Sequence, residues 1–375
     1  MVFEVEFEFD DDEVFFAFSQ PYTYSQIMRD VLTFENNLQP TDKSQIKYLY
    51  PRNQAPPDAQ NQVNKEPIRR TQGDTIETRT PVHGIQFESK QHLLYYRREE
   101  LCRSICGLPL WAITISRDPS RMRKKPVIVI TSRVHSGETP ASLVFRGILE
   151  FLLSDKKEAK LLRLYYTFVL VPCLNPDGVV CGNYRNSAAG VDLNRQWINP
   201  DEQYHPEIYY TKNLLKRITE DERRKIWIYC DLHGHSKKKN SFFYGCNTAA
   251  NGGFLSWTIV RLFPRIFAQK THMFSFKDCR FKVEPYKVGT GRVVAWKQFA
   301  ITHSFTLENS FFGYDFGDDE SREFSEEDYF CVGTKFCDSV FEFHYVWKQI
   351  QRELNLTQGW LKPRVLNAKT GVPAA

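Results

Sequence analysis

No apolar run in this chain is long enough to cross a bilayer. FVLVPCL at 168–174 is among the longest, and a spanning helix needs about 20 residues. MVFEVEFEFDDDEVFF at the start lacks a basic segment followed by an apolar core, so no secretory signal is expected. C-x-x-C spacing is lacking too. The 9 cysteines are scattered and odd in number, which argues against a disulfide framework and for reduced thiols in a cytoplasmic protein. Without secretion, the sequon Asn355-Leu356-Thr357 carries no expectation. Internal repeats are absent, and neither sign of charge dominates: 50 Lys and Arg against 45 Asp and Glu leave +5. Such a balance permits an acidic partner; neither nucleic acid nor membrane is expected as one.

What is present is ordinary globular material, 42% hydrophobic and 25% charged over 375 residues. That length suits one large domain with a smaller one. VFEVEFEF, DDDE and VFFAFS in the first eighteen residues alternate with period two, which predicts a hairpin belonging to a small, shortened β domain. A helix is expected within 21–38, and the Pro-, Gln-, Asn- and Asp-rich stretch 39–83 reads as an exposed insertion. From about residue 95, strands alternate with helices. Strands are expected at 110–116, 126–132, 165–172, 226–232 and 301–308, and helices at 141–155, 209–225, 253–269 and 328–354. The predicted fold is α/β, a mixed and mostly parallel sheet flanked by helices. Its expected divisions are a β-rich region over 1–105, a catalytic domain over 106–355 and a tail over 356–375.

Four expected strands end in polar clusters. PVIVITSR leads to His135 and Glu138, YYTFVLVP to CLNPDG, IWIYCDL to His233 in DLHGHS, and ITHSFTLE to Glu308. In α/β sheets, sites form outside the carboxyl ends of strands. Two histidines and a glutamate can therefore meet at one edge, and His₂Glu with an open fourth position is a catalytic zinc sphere. Glu308 would serve as the base that takes a proton from water and returns it to a leaving amine.

HSGE (135–138), NPDG (175–178), GNYRNSAAGVDLNRQW (182–197), DLHGHS (231–236) and FTLE (305–308) resemble, in order, the landmarks of the funnelin-type zinc carboxypeptidases. PYTYS (21–25), SRVHSGET (132–139), DLHGHSKKKNSFFYGC (231–246) and GTGRVVAW (289–296) look like the cytosolic carboxypeptidases within that family. The resemblance spans roughly residues 3–350 apart from 39–83. One departure is Ser136, where the subfamily usually has proline. The resemblance implies a metallocarboxypeptidase-like fold and one zinc ion held by His135, Glu138 and His233, with His235 the competing histidine. Asp231 is either an orienting carboxylate or a cap. Arg185 would stabilise the oxyanion, while Asn194 and Arg195 would grip the substrate's terminal carboxylate. NPDG reads as turn chemistry. Arg292 would lie in the pocket for the last side chain and favour glutamate, and Tyr286 suits a mobile tyrosine covering the substrate.

The implied function is removal of C-terminal or side-chain-linked glutamate from acidic tails, with tubulin the implied partner. A cytoplasmic monomer is expected, open to microtubule or cilium association. Arg121, Arg123, Lys124 and Lys125, then 223–225, then 237–239 form basic clusters, the last placed to steer an acidic chain. Two rival readings are an amidohydrolase of related fold acting on N-acyl amino acids, and an inactive module that binds tails. Asn194-Arg195 argues against the first, and the full set of expected catalytic residues against the second.

Overall fold

Ile128 and Ile130 join one apolar cluster, whereas Val127 and Val129 join another on the opposite face of the same strand. A strand apolar on both faces needs a layer on each side, the mark of a parallel sheet sandwiched by helices. The computed structural model describes residues 4–7, 9–11, 13, 14, 16–40, 43–49, 84–247, 249–316 and 320–353. Its strands are β1 Lys47–Leu49, β2 Gly84–Ser89, β3 Leu94–Arg103, β4 Pro109–Ser116, β5 Val127–Ser132 and β6 Thr167–Val171. They continue with β7 Ile226–His235, β8 Ser241–Tyr244, β9 His303–Ser310, β10 Gly313–Phe316 and β11 Glu320–Glu323. The helices are α1 Tyr24–Leu38, α2 Thr139–Leu153, α3 Lys157–Tyr165 and α4 Pro176–Val180. After these come α5 Pro206–Glu220, α6 Ala249–Lys270, α7 Gly291–Phe299 and α8 Glu326–Glu353.

Nine strands form one sheet in the order β1-β2-β3-β4-β6-β5-β7-β9-β8. The four strands β6, β5, β7 and β9 are parallel, and antiparallel pairs extend the sheet toward both edges. On one face α2, α6 and α8 supply Ile148, Phe263, Phe267, Phe336 and Phe343 to the larger cluster. On the other, α5 and α7 supply Ile208, Leu215 and Val294. The mixed sheet flanked by helices is the expected architecture. Its continuation across residue 105 is not, because β3 pairs with β4 over most of its length. The hairpin expected at the start is also absent among the described residues there, which include a turn at Asp10 and Asp11 but no strand. Phe7, Phe9, Phe16 and Phe18 are exposed, and a two-stranded ribbon with no layer to cover its apolar face is marginal. The expected insertion at 39–83 contains β1, while its remainder from 50 and the tail at 356–375 lie outside the described residues.

Two glycines fix the position of α2, which begins at the residue after Glu138. A Cβ on Gly147 would lie 2.2 Å from the carbonyl oxygen of Phe330, and one on Gly333 would lie 2.2 Å from that of Val144. α2 and α8 therefore touch backbone to backbone. On the other face Glu207, the second residue of α5, is buried with neither carboxylate oxygen hydrogen-bonded to a described residue. Burial pushes its pKa up to about 7.

Two stability predictions follow from these contacts. Gly333→Ala forces the helices apart, a clash expected to cost about 1–3 kcal/mol. A denaturant midpoint equal to that of the parent would refute the close approach. For Glu207 the folded state favours the protonated acid, so its contribution is intact below its ordinary pKa of 4.5 and is lost as pH rises through about 7. Glu207→Gln should therefore raise the unfolding free energy at pH 8 by on the order of 3 kcal/mol, and change it little at pH 5. An equal gain at both pH values would show that ionisation is not the cause.

Candidate active site

The HSGE segment leaves the end of β5 as a tethered loop. Ser136 Oγ donates to the Asn183 carbonyl at 2.6 Å, and the Gly137 N–H donates to the Tyr184 carbonyl at 2.6 Å. A Cβ on Gly137 would lie 2.7 Å from that same oxygen, so only glycine allows the approach. Arg133, at φ 57°, turns the chain and braces the loop by donating from Nε to the Ser136 carbonyl. Ser136 thus anchors the loop through its hydroxyl.

β7 lies beside β5 and ends at His233, and β9 lies beside β7 with Glu308 in register with His233. Three atoms converge here. His135 Nδ1 is 2.8 Å from Glu138 Oε1, His233 Nδ1 is 2.9 Å from Glu138 Oε2, and the two Nδ1 atoms are 3.2 Å apart. The far side of each ring faces a carboxylate: His135 Nε2 is 3.1 Å from Asp192 Oδ1 and His233 Nε2 is 2.7 Å from Asp231 Oδ2. With Nε2–H facing a carboxylate on each ring, each Nδ1 is turned toward Glu138, where it can carry a proton or, once deprotonated, offer a lone pair to a metal. Two imidazole nitrogens and a buried carboxylate so close need positive charge among them, supplied by protons on the rings or by a metal ion. The donor set, two imidazoles and a carboxylate, is that of a zinc site, so these residues fit the metal. His235 lies outside the cluster and accepts the backbone N–H of Lys238.

The electrostatics are those of a site built to hold positive charge. Burial opposes charging of His233, but Asp231 and Glu138 outweigh it and hold its pKa well above the usual value. Burial alone would raise the Glu138 carboxyl, yet the two histidines hold it well below the usual carboxylate range. Glu308 behaves oppositely. Burial, reinforced by Glu138, pushes its pKa up to about 7 against the pull of His233 and Lys287, a value suited to proton transfer near neutral pH.

Arg185 flanks the cluster, with its guanidinium held on Asp192 at 2.8 and 2.9 Å and Nη1 3.5 Å from His135 Nδ1. Asn194 is buried: Oδ1 accepts the Gly291 N–H at 3.0 Å, and Nδ2 is 3.3 Å from His233 Nε2. Its oxygen is thus occupied in joining the DLNRQW loop to the start of α7. Arg195 Nη1 donates to the Asn194 carbonyl at 3.0 Å, and the rest of its guanidinium is partly open. Arg292 is buried, its Nη1 donating to Cys246 Sγ at 3.2 Å and to the Gly245 carbonyl, while Nε finds no partner among the described residues. Tyr286 is 66% exposed, next in sequence to Lys287. Lys238 and Lys239, expected to steer substrate, pair with Asp278 and Asp315. In NPDG, Asn175 Oδ1 accepts the Gly178 N–H at 2.9 Å, the turn chemistry expected of it. Sequence reasoning assigned nothing to Asp192 or Lys287. Asp192 sits two residues before Asn194, but only the fold reveals that it faces a histidine 57 positions away.

A family model described as zinc carboxypeptidase matches residues 89–316. Cytosolic carboxypeptidase 2 of Homo sapiens is 34% identical over 347 residues, covering 92% of this chain and 32% of that protein. Its counterpart in Danio rerio is 42% identical over 253 residues, covering 66% of this chain and 34% of the relative. The chain thus spans about a third of the length of these relatives. Among solved structures, a metallo-carboxypeptidase from Burkholderia cenocepacia shares the fold at a TM-score of 0.59 and 24% identity, over 67% of this chain and 65% of that one. With its nine-stranded sheet and its His-Glu-His cluster, the chain belongs to the zinc carboxypeptidase family and aligns there with the cytosolic carboxypeptidases.

Proposed function

We propose that this chain is a zinc-dependent carboxypeptidase that removes C-terminal or side-chain-linked glutamate from acidic protein tails, such as those of tubulin. One observation carries the reading: the Nδ1 atoms of His135 and His233 meet Glu138 directly beside Glu308, with the buried cation Arg292 in the same charged neighbourhood. Zinc held by His135, Glu138 and His233 would supply Lewis acidity and lower the pKa of a water to about 7. Glu308 accepts the proton of the attacking water and delivers it to the leaving amine. Arg185 donates to the oxygen on which negative charge develops, a donor worth about 10²–10³ in rate. Arg195 takes the terminal carboxylate through its open edge, and Arg292 takes the side-chain carboxylate of the last residue. Asp192 and Asp231 do no chemistry on the substrate. They hold the protons on Nε2, and Asp192 also holds Arg185.

Mass spectrometry of a peptide ending in several glutamates, incubated with the zinc-loaded chain, tests the reading directly. Successive losses of glutamate are expected, abolished by chelation and by Glu308→Ala. No loss from glutamate, with cleavage of a terminal alanine or phenylalanine instead, would sink the assignment of Arg292. Asp192→Asn should weaken zinc binding by about 10–100-fold. Titration against a competing chelator reads this without any need for activity, and unchanged affinity would remove Asp192 from the metal's support.

A further inference from the structure

The cleft holds more positive charge than a terminal glutamate can use. Such a residue brings two carboxylates, its α-carboxylate and its side chain, and the reading above assigns them to Arg195 and Arg292. Arg185 is neutralised by Asp192. Among the described residues a further cation, Lys287, lies in the field of Glu308 and Arg292.

Its placement is built by the fold. The turn Pro285–Lys287 runs into α7, and the loop between is pinned at several points. The Trp197 N–H donates to the Gly289 carbonyl at 3.2 Å, and a Cβ on Gly289 would lie 2.7 Å from the Arg195 carbonyl. The Lys287 ammonium stands 4.1 Å from the centroid of the Tyr244 ring, on the strand that pairs with the Glu308 strand. Glu308, Arg292 and Arg195 are the charged groups that act on it most, with Glu284 after them. Its ammonium makes no hydrogen bond or ion pair with any described residue, although it is half-buried. A desolvated cation held over a ring and given no carboxylate is a carboxylate site awaiting its ligand.

We propose that Lys287 binds the side-chain carboxylate of the residue that precedes the terminal glutamate, so that the cleft reads two consecutive acidic residues. The proposal rests on the carboxypeptidase reading. It makes Lys287 a specificity residue, read through the ratio of two substrates because its charge also acts on Glu308.

Two peptides test it, acetyl-Gly-Ala-Glu-Glu and acetyl-Gly-Ala-Ala-Glu, with the zinc-loaded full chain. The first should be hydrolysed with a kcat/KM about tenfold higher, as expected for one charge-assisted hydrogen bond. Lys287→Met keeps the stem over Tyr244 and should bring the two peptides within about twofold, by lowering the first far more than the second. The shared effect of the lost charge on Glu308 cancels in their ratio. Lys287→Arg should restore the difference. If Lys287→Met lowers both peptides equally, or leaves their ratio as in the parent, the proposal is overturned. Should the parent cleave neither, the fault lies with the proposed reaction, and binding still decides the role of Lys287. Calorimetry on Glu308→Gln protein should then show tighter binding of the diacidic peptide, lost when Lys287→Met is added. Equal binding of the two, or none, overturns the inference.

Discussion

Two carboxylates behind two histidines determine the rest of this site. Asp192 and Asp231 each hold an Nε2–H, and that turns the opposite nitrogens toward one another and toward Glu138. Such an arrangement is unfavourable in isolation, because electron-rich atoms about 3 Å apart in a buried setting repel strongly. It is a stable design only with positive charge at the centre. Asp192 carries a further load through its other oxygen, which anchors Arg185. The same residue therefore orients a candidate ligand and aims the guanidinium proposed to meet developing negative charge.

The sheet delivers these groups from distant parts of the sequence without long loops. β5, β7 and β9 lie side by side and parallel, so their carboxyl ends open on one edge. Register then sets Glu308 beside His233, and the pleat sets Asp231 on the same face as His233. Glu138 belongs to no strand, and its place depends on the Ser136 and Gly137 bonds to 183–184 and on where α2 starts. That helix is held by the glycine contact with α8, which links close packing on one face of the sheet to ligand geometry at its edge.

The central strands and most helices were legible in the sequence because burial on both faces leaves a dense apolar run with little ambiguity, as in PVIVITS and YYTFVLVP. β2 and β3 were not. LYYRREELCR alternates weakly and carries Arg97, Arg98, Glu99 and Glu100 in its middle, which reads as surface until β4 is seen beside it. β8 has only four residues, too short for any period to show. At the site, histidines and glutamates at strand ends advertised themselves by type and place. Asp192 and Lys287 did not, since aspartate and lysine are common and their meaning lies in what they face. The basic run 237–239 erred the other way, looking like a guide for acidic chains while two of its members are spent on nearby aspartates.

On the proposed reading, selectivity in such a cleft would come from buried cations more than from the diffuse field of a chain with net charge +5. A surface lysine attracts any anion weakly, and salt screens it. Arg292 is different. It is buried, it donates along one edge only, and its Nε is unpartnered among the described residues. Leaving such a group desolvated beside a neutral side chain costs more than a poor fit of shape, because an uncompensated buried charge is penalised by several kcal/mol. A carboxylate removes that penalty on arrival. On the proposed reading, discrimination would therefore arise mainly from what a neutral residue fails to satisfy, and would persist at ionic strengths that erase long-range steering.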